Sequence, residues 1–424
     1  MESREEVWIR QLVAAICKAD SLGEAFGIFK LAGSLLDGWK FVFAAKSGVE
    51  PGFAVNRTFS RGASIRSLFR TERVFVLDTD TVREMRTGPA TFPIDFSISL
   101  DTQAVSYLEP YVARKAAATL PADIKEVFDF IARTDVAVDP IPYLSENVGN
   151  LRDQAAADRI YEKLRVYEIL RTLDTKWLQS RGEARSLLSE ADLTKRAQEH
   201  IGRMFADRDN ATFMRGLRFR FQFQYCYLLK MVSIQLRSPQ ASLASKLKAF
   251  LEFSDSTMAT INDRDTALAR AYFMRGQDLT FFGKIQKNKA DLFRVLTGMA
   301  WDLWHVRQLE EAMTFRPARE ARYFFPALLT FDKRLVEVID LYPLKVCAFK
   351  MGESKPLPVF DGDWFELVSS DEHEKTAVRA QFFSNEALAS RDSRRKSVKS
   401  LISDIARDLE CELSEIARVA PPSR

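Results

Sequence analysis

FSISLD at Phe96–Asp101 and YFFPALLTFD at Tyr323–Asp332 share one design: an apolar run that ends in a carboxylate. A run apolar on both faces suits a strand buried inside a parallel sheet. Such sheets bind ligands in the crevice outside the carboxyl ends of their strands. If both runs lie in one parallel sheet, Asp101 and Asp332 share an edge. Two anions held together at low dielectric call for a cation, or one takes up a proton. The expectation is an α/β fold with a parallel-sheet core and a metal-seeking acidic edge.

Composition narrows the chemistry. A chain of 424 residues has room for two or three domains, or one with a large insertion. Net charge is only +4, which gives no strong bias toward nucleic acid or membrane. The four cysteines, Cys17, Cys226, Cys347 and Cys411, show no CxxC spacing, which argues against a disulfide framework and a zinc ribbon. Three histidines, His200, His305 and His373, are too few for a multi-histidine centre, so a catalytic metal would fall to carboxylates and be Mg²⁺ or Mn²⁺. The early acids make the N-terminus a poor secretory signal, and no run nears the roughly 18 apolar residues of a membrane span. A soluble cytoplasmic protein is expected. GxxxxGK[ST], GxGxxG after a strand, GxSxG and HExxH are all missing, which disfavours P-loop, Rossmann, serine-hydrolase and zincin chemistry.

Along the chain, residues 6–46 carry helical periodicity, Ser47–Phe53 breaks it, and a basic stretch follows (Arg57, Arg61, Arg66, Arg70, Arg73). Val74–Leu77 reads as a strand ending at Asp78, with Asp80 close behind. A turn over Thr87–Pro93 leads to FSISLD, and a helix starts near Thr102. Further helices are expected over 122–133, 144–188, 192–207, 243–275 and 291–313, with Pro140 and Pro142 forcing an extended or turning backbone. Leu217–Leu229 (LRFRFQFQYCYLL) alternates like a strand, yet its helical flanks favour a long aromatic helix. After Asp332 a helix to Leu341, stopped by Pro343, and a strand at Lys345–Phe349 complete a βαβ-like unit. Beyond residue 375 the chain reads as an appended, partly mobile helical tail. The implied domains are a mainly helical region at 1–73, an α/β core at 74–350 with a helical insertion at about 150–290, and a helical extension at 351–424.

Each candidate residue has a plain structural reading beside the functional one. Asp101 and Asp332 each precede a helix, where aspartate caps well. Asp302 shares a helical stripe with Val306, Leu309 and Met313, and acids are rarely buried unpaired. It either pairs with a cation or reaches a metal. His305, one turn on, orients Asp302 or touches substrate, or is a half-exposed structural histidine. Glu146 opens a helix after the rigid Pro140–Pro142 stretch. Asp139, Asp78 and Asp80 are weaker alternatives; Asp255, Asp263 and Asp265 suit turns and caps. The Arg/Phe alternation at 218–225, with Lys230 and Arg237, suits either core packing or a nucleic-acid surface.

The order strand–Asp101, Glu146, helix–Asp302, strand–Asp332–helix resembles the PIN domain family of metal-dependent nucleases. Ile98-Ser-Leu-Asp101-Thr-Gln-Ala-Val-Ser-Tyr-Leu108 looks like the family's opening strand with its metal-binding acid. Leu328-Leu-Thr-Phe-Asp332-Lys-Arg-Leu335 looks like its late strand and closing acid. Glu146 and Asp302 would match the second and third acids. The chain departs from the family in the long stretch between Asp101 and Asp332, which requires a large helical insertion, and in Gln103 where Asn is usual.

The resemblance implies an endonuclease, above all a ribonuclease, with Asp101, Glu146, Asp302 and Asp332 holding Mg²⁺ or Mn²⁺. Nucleic acid would be the partner, with an inhibitory protein or a second copy restraining the enzyme, as befits the toxins and defence effectors in which the fold recurs. Two alternatives stand beside it. One is a non-catalytic helical scaffold with a small α/β module; the other is a small-molecule phosphatase built on Asp78 and Asp80.

Overall fold

The computed structural model describes residues 4–46, 48, 56–90, 93–114, 120–317 and 320–422. Of the expected breaks, Ser47–Phe53 (apart from Gly48) and Thr91 with Phe92 lie outside them. The chain forms two compact units. The first comprises 1–205, 305–333 and 343–361; the second comprises 206–304, 334–342 and 362–424.

The first unit is mixed α/β. Its strands among the described residues are β1 (Trp39–Ala45), β2 (Arg57–Thr58), β3 (Ser64–Ser67), β4 (Arg73–Leu77), β5 (Ile94–Leu100), β6 (Val138–Asp139), β7 (Tyr323–Thr330), β8 (Leu344–Lys350) and β9 (Leu357–Phe360). A five-stranded sheet has the order β2-β3-β7-β5-β6, and a four-stranded one has the order β4-β1-β8-β9. The two deciding stretches are neighbours. β5 and β7 pair in parallel from Ile94↔Tyr323 to Leu100↔Leu329, and β6 adds a short parallel strand beside β5. Both are central strands, which is why Ile98, Leu100, Ala327, Leu328 and Leu329 are all buried. β3 then pairs with β7 and β2 with β3, both antiparallel, so only the centre of the sheet is parallel.

Two expectations change here. Residues 39–45 form strand β1 rather than the end of a helical region. Phe41, Val42 and Phe43 are buried on successive positions, as a strand covered on both faces requires. The helices Arg4–Lys18 and Leu22–Ala32 cover one face through Val13, Ile16, Ala25 and Phe29, which join Phe41, Phe43, Leu77, Val346 and Ala348 in one core. Second, β8 does not return beside β7 as a βαβ unit. It pairs antiparallel with β1, with Val42 opposite Cys347, in the other sheet.

The second unit is helical among the described residues. Leu217–Leu229 lies within a helix, Ala211–Arg237. Two residues turn a helix by about 200°, so the strand-like alternation yields two opposed aromatic rows. One is Phe219–Phe223–Tyr227, which continues onto Phe250 and Phe253; the other is the stacked pair Phe221–Tyr225, whose Phe221 ring lies tilted at 4.6 Å from Trp301. The expected tail is helix Asn385–Ala417, whose Val398, Ile402, Ala406, Leu409 and Leu413 are buried. It pairs with the aromatic helix through Tyr225 Oη to Glu410 (3.0 Å) and Glu412 to Lys230 and Arg237. No helix of the described residues is long and apolar enough to cross a membrane. The four cysteines are free thiols.

Candidate active site at the carboxyl edge of the parallel strands

Asp101 follows β5 and caps helix Thr102–Val112, its Oδ1 accepting the Ala104 N–H at 2.6 Å. Its own N–H donates to Leu329 O at 3.2 Å, continuing the ladder one step past the strand. That step sets Asp101 beside the end of β7. The Thr330 hydroxyl accepts the Asp332 N–H at 3.0 Å and also hydrogen-bonds the Asp101 carboxylate. Asp101 therefore caps a helix and faces the edge at once.

Glu146 arrives from helix Ile141–Asn147, which follows β6. The Thr102 hydroxyl, next to Asp101, donates to its carboxylate. Asp101 feels both other acids. Burial first, then Glu146 and Asp332, raise the Asp101 carboxyl to about 7, against the Thr330 and Ala104 hydrogen bonds that lower it. Burial also raises Glu146, opposed by Thr102 and by the ammonium of Lys163.

Asp302 belongs to the second unit, where it is half-buried. His305, on the same helix Leu292–Ala312, belongs to the first. Its Nε2 lies 3.7 Å from Glu146 Oε2, yet burial depresses its pKa to about 3, so the ring stays neutral and no ion pair forms. Gln308, one turn on, donates to Ser145 Oγ at 2.8 Å and ties the helix to the Glu146 segment.

Two neighbours carried too little sequence signal to be chosen. Asp139 ends β6, and its Oδ2 accepts from Ser97 and Ser99 of β5, so a fourth acid lies along the same sheet end. The alternation Ser97, Ser99, Asp101 on one strand face was the available clue. Lys163 sits mid-helix, donates to Ser106 Oγ at 2.8 Å and lies 5.5 Å from the Tyr143 ring centroid. Burial lowers its pKa, while Glu109 and Glu146 raise it. A single lysine in a charged helix has no distinguishing pattern.

The alternative acids are otherwise occupied. Asp78 is buried, caps helix Thr79–Met85 through the Thr81 N–H and accepts the Tyr323 hydroxyl. Asp80 is exposed and pairs with Arg83 at 3.2 Å.

Among the described residues, no group of three or more His, Cys, Asp or Glu side chains is set to hold a metal ion directly. The donor chemistry still fits Mg²⁺ or Mn²⁺: hard carboxylate oxygens whose mutual repulsion a cation would relieve. Mg²⁺ commonly keeps its waters and takes one or two carboxylates plus substrate phosphate, so it needs no closed protein cage.

No protein-family model matches the chain, and no curated protein or solved structure is significantly similar to it.

Proposed function

We propose that the edge formed by Asp101, Glu146 and Asp332 is the active site of a metal-dependent phosphodiesterase acting on nucleic acid, RNA in the first instance. The observation that carries the reading is the parallel pairing of β5 with β7, which brings two distant acids to one sheet end, where Asp101 responds to both Glu146 and Asp332. Ligand sites of parallel strands lie at that end.

A bound Mg²⁺ or Mn²⁺ would supply an activated water and neutralise charge on the phosphate. Asp101 and Asp332 would hold it, with Glu146, oriented by Thr102, reaching it through a bound water. Asp101 has to release its proton to do so, and a bound cation would favour that release. Neutral His305 buttresses Glu146 from behind without adding positive charge. Lys163 offers a cation on the Glu146 side for a phosphate oxygen.

Incubation of end-labelled single-stranded RNA with the purified full chain and Mn²⁺ tests this. Cleavage is expected to appear with Mn²⁺ or Mg²⁺, to vanish with EDTA, and to fall at least a hundredfold in Asp101→Asn and Asp332→Asn proteins with wild-type circular dichroism. Cleavage unchanged in both variants, or none by the wild type, favours the helical-scaffold reading.

A further inference from the structure

The acidic edge has a basic rim that the hydrolytic reading does not use. β3 runs antiparallel to β7 with Ser64 opposite Thr330, and β2 pairs back with Thr58 opposite Ser64. The hairpin loop 59–63 therefore projects past the end of β7, on the side where Asp101 and Asp332 lie. The loop is held from within by Phe59 N–H to Ala63 O (2.8 Å) and Gly62 N–H to Phe59 O (3.0 Å). From outside, Asp123 Oδ2 accepts the N–H groups of Arg61 and Ala63 at 3.2 and 2.9 Å, and Glu126 Oε2 accepts that of Ser60 at 2.9 Å. Buried Phe59 packs edge-on against Phe130. Such a loop is fixed before any ligand arrives.

The basic residues of the hairpin divide into two kinds. Arg57 lies over the Phe59 and Phe130 rings, and Arg66 donates to Arg57 O and the Thr58 hydroxyl, so both stiffen the hairpin. Arg61 and Lys333 do neither. Both are exposed, and neither pairs with a carboxylate among the described residues. Gly62 joins them: its φ is +102°, and the Lys333 side chain crosses the space a Cβ would fill. Glycine at this position lets Lys333, the residue after Asp332, lie against the loop that carries Arg61.

We propose that Arg61 and Lys333 form a phosphate clamp on the rim of the acidic edge, gripping the backbone of the nucleic-acid strand beside the bond to be cut. The proposal rests on the hydrolytic reading of that edge. The acids attract metal and repel polyanion, so a substrate strand needs fixed cations just outside them. Guanidinium and ammonium on a pre-ordered loop meet that need without contacting a base.

Fluorescence anisotropy of a labelled oligouridine, titrated with the full chain in EDTA, reads binding without cleavage. Arg61→Ala and Lys333→Ala are each expected to weaken binding about five- to tenfold at low salt. Each should also reduce the slope of log affinity against log salt by about 0.7, one phosphate contact on a single strand. Arg61→Lys and Lys333→Arg should keep most of the affinity, and Lys30→Ala, an exposed lysine of helix Leu22–Ala32, should leave it unchanged. Wild-type affinity and slope in both alanine variants overturn the clamp, as does equal loss in the charge-conserving pair. Failure of the wild type to bind RNA removes the clamp and the nucleic-acid substrate together. Clamp-dependent binding without metal-dependent cleavage keeps the clamp and removes only the hydrolytic reading.

Discussion

Asp101 is held where its charge is disfavoured, and the sign of that effect is measurable. Its ordinary value of 3.8 rises to about 7 in the folded protein. Between those values the folded state binds the proton and the unfolded state does not, so stability falls as pH rises from about 4 to 7. At about 1.36 kcal/mol per pKa unit the full effect is roughly 4 kcal/mol, as an upper bound. Asp101→Asn keeps an effective helix cap while removing the charge. Urea unfolding should therefore show the variant on the order of 2–4 kcal/mol more stable than wild type at pH 8, with the difference nearly gone at pH 4. Equal stability at pH 8 would mean that the carboxyl ionises without penalty. His305 acts at the other end of the scale. It stays neutral in the folded protein down to about 3, whereas the unfolded chain protonates it below 6.5. Its contribution is present above 6.5 and lost as pH falls toward 3, so His305→Gln should flatten the acid side of the same unfolding profile.

Strand and helix patterns were legible to different degrees. The β5 and β7 pair was readable because both runs are central strands, and it sets Asp101 and Asp332 at one carboxyl end. The helix from Thr102 and the helix containing Leu217–Leu229 were readable from caps and flanks. β1 was missed because Phe41–Ala45 continues an apolar run that fits a helix equally well, and only its partners β4 and β8 decide the matter. β8 was assigned to the wrong neighbour for the same reason: pairing with a strand some 300 residues earlier leaves no local trace. Asp139 was underrated since two residues of β6 give almost no period to read. The two aromatic rows predict a graded response. Phe250→Ala, wholly buried against Tyr227 and Phe273, should cost about 3–5 kcal/mol. Leu31→Ala, at a site 89% exposed, should change stability by less than about 0.5 kcal/mol. Chemical denaturation of the two variants checks the ranking, and a small loss at Phe250 would contradict the packing.

Each compact unit is assembled from separated pieces of chain, so neither can be cut out as one segment. The helical unit draws on 206–304, 334–342 and 362–424, and one face of its C-terminal helix is buried through Val398, Ile402, Leu409 and Leu413. Truncation before Asn385 is thus expected to expose the aromatic helix, raise binding of a hydrophobic dye severalfold and speed proteolysis within 211–275. A truncated chain that resists protease like the full one would show the helix to be dispensable. Within the first unit, Asp101, Glu146 and Asp332 come from three separated stretches of chain that reach the end of the parallel strands. Calorimetric titration of Mn²⁺ into the full chain at pH 8 asks whether they work as one site. Saturable binding is expected in the wild type, weakened at least tenfold by Asp101→Asn and by Asp332→Asn alone, with little further loss in the double variant. Undiminished Mn²⁺ binding by both single variants, or none by the wild type, would contradict a shared carboxylate site.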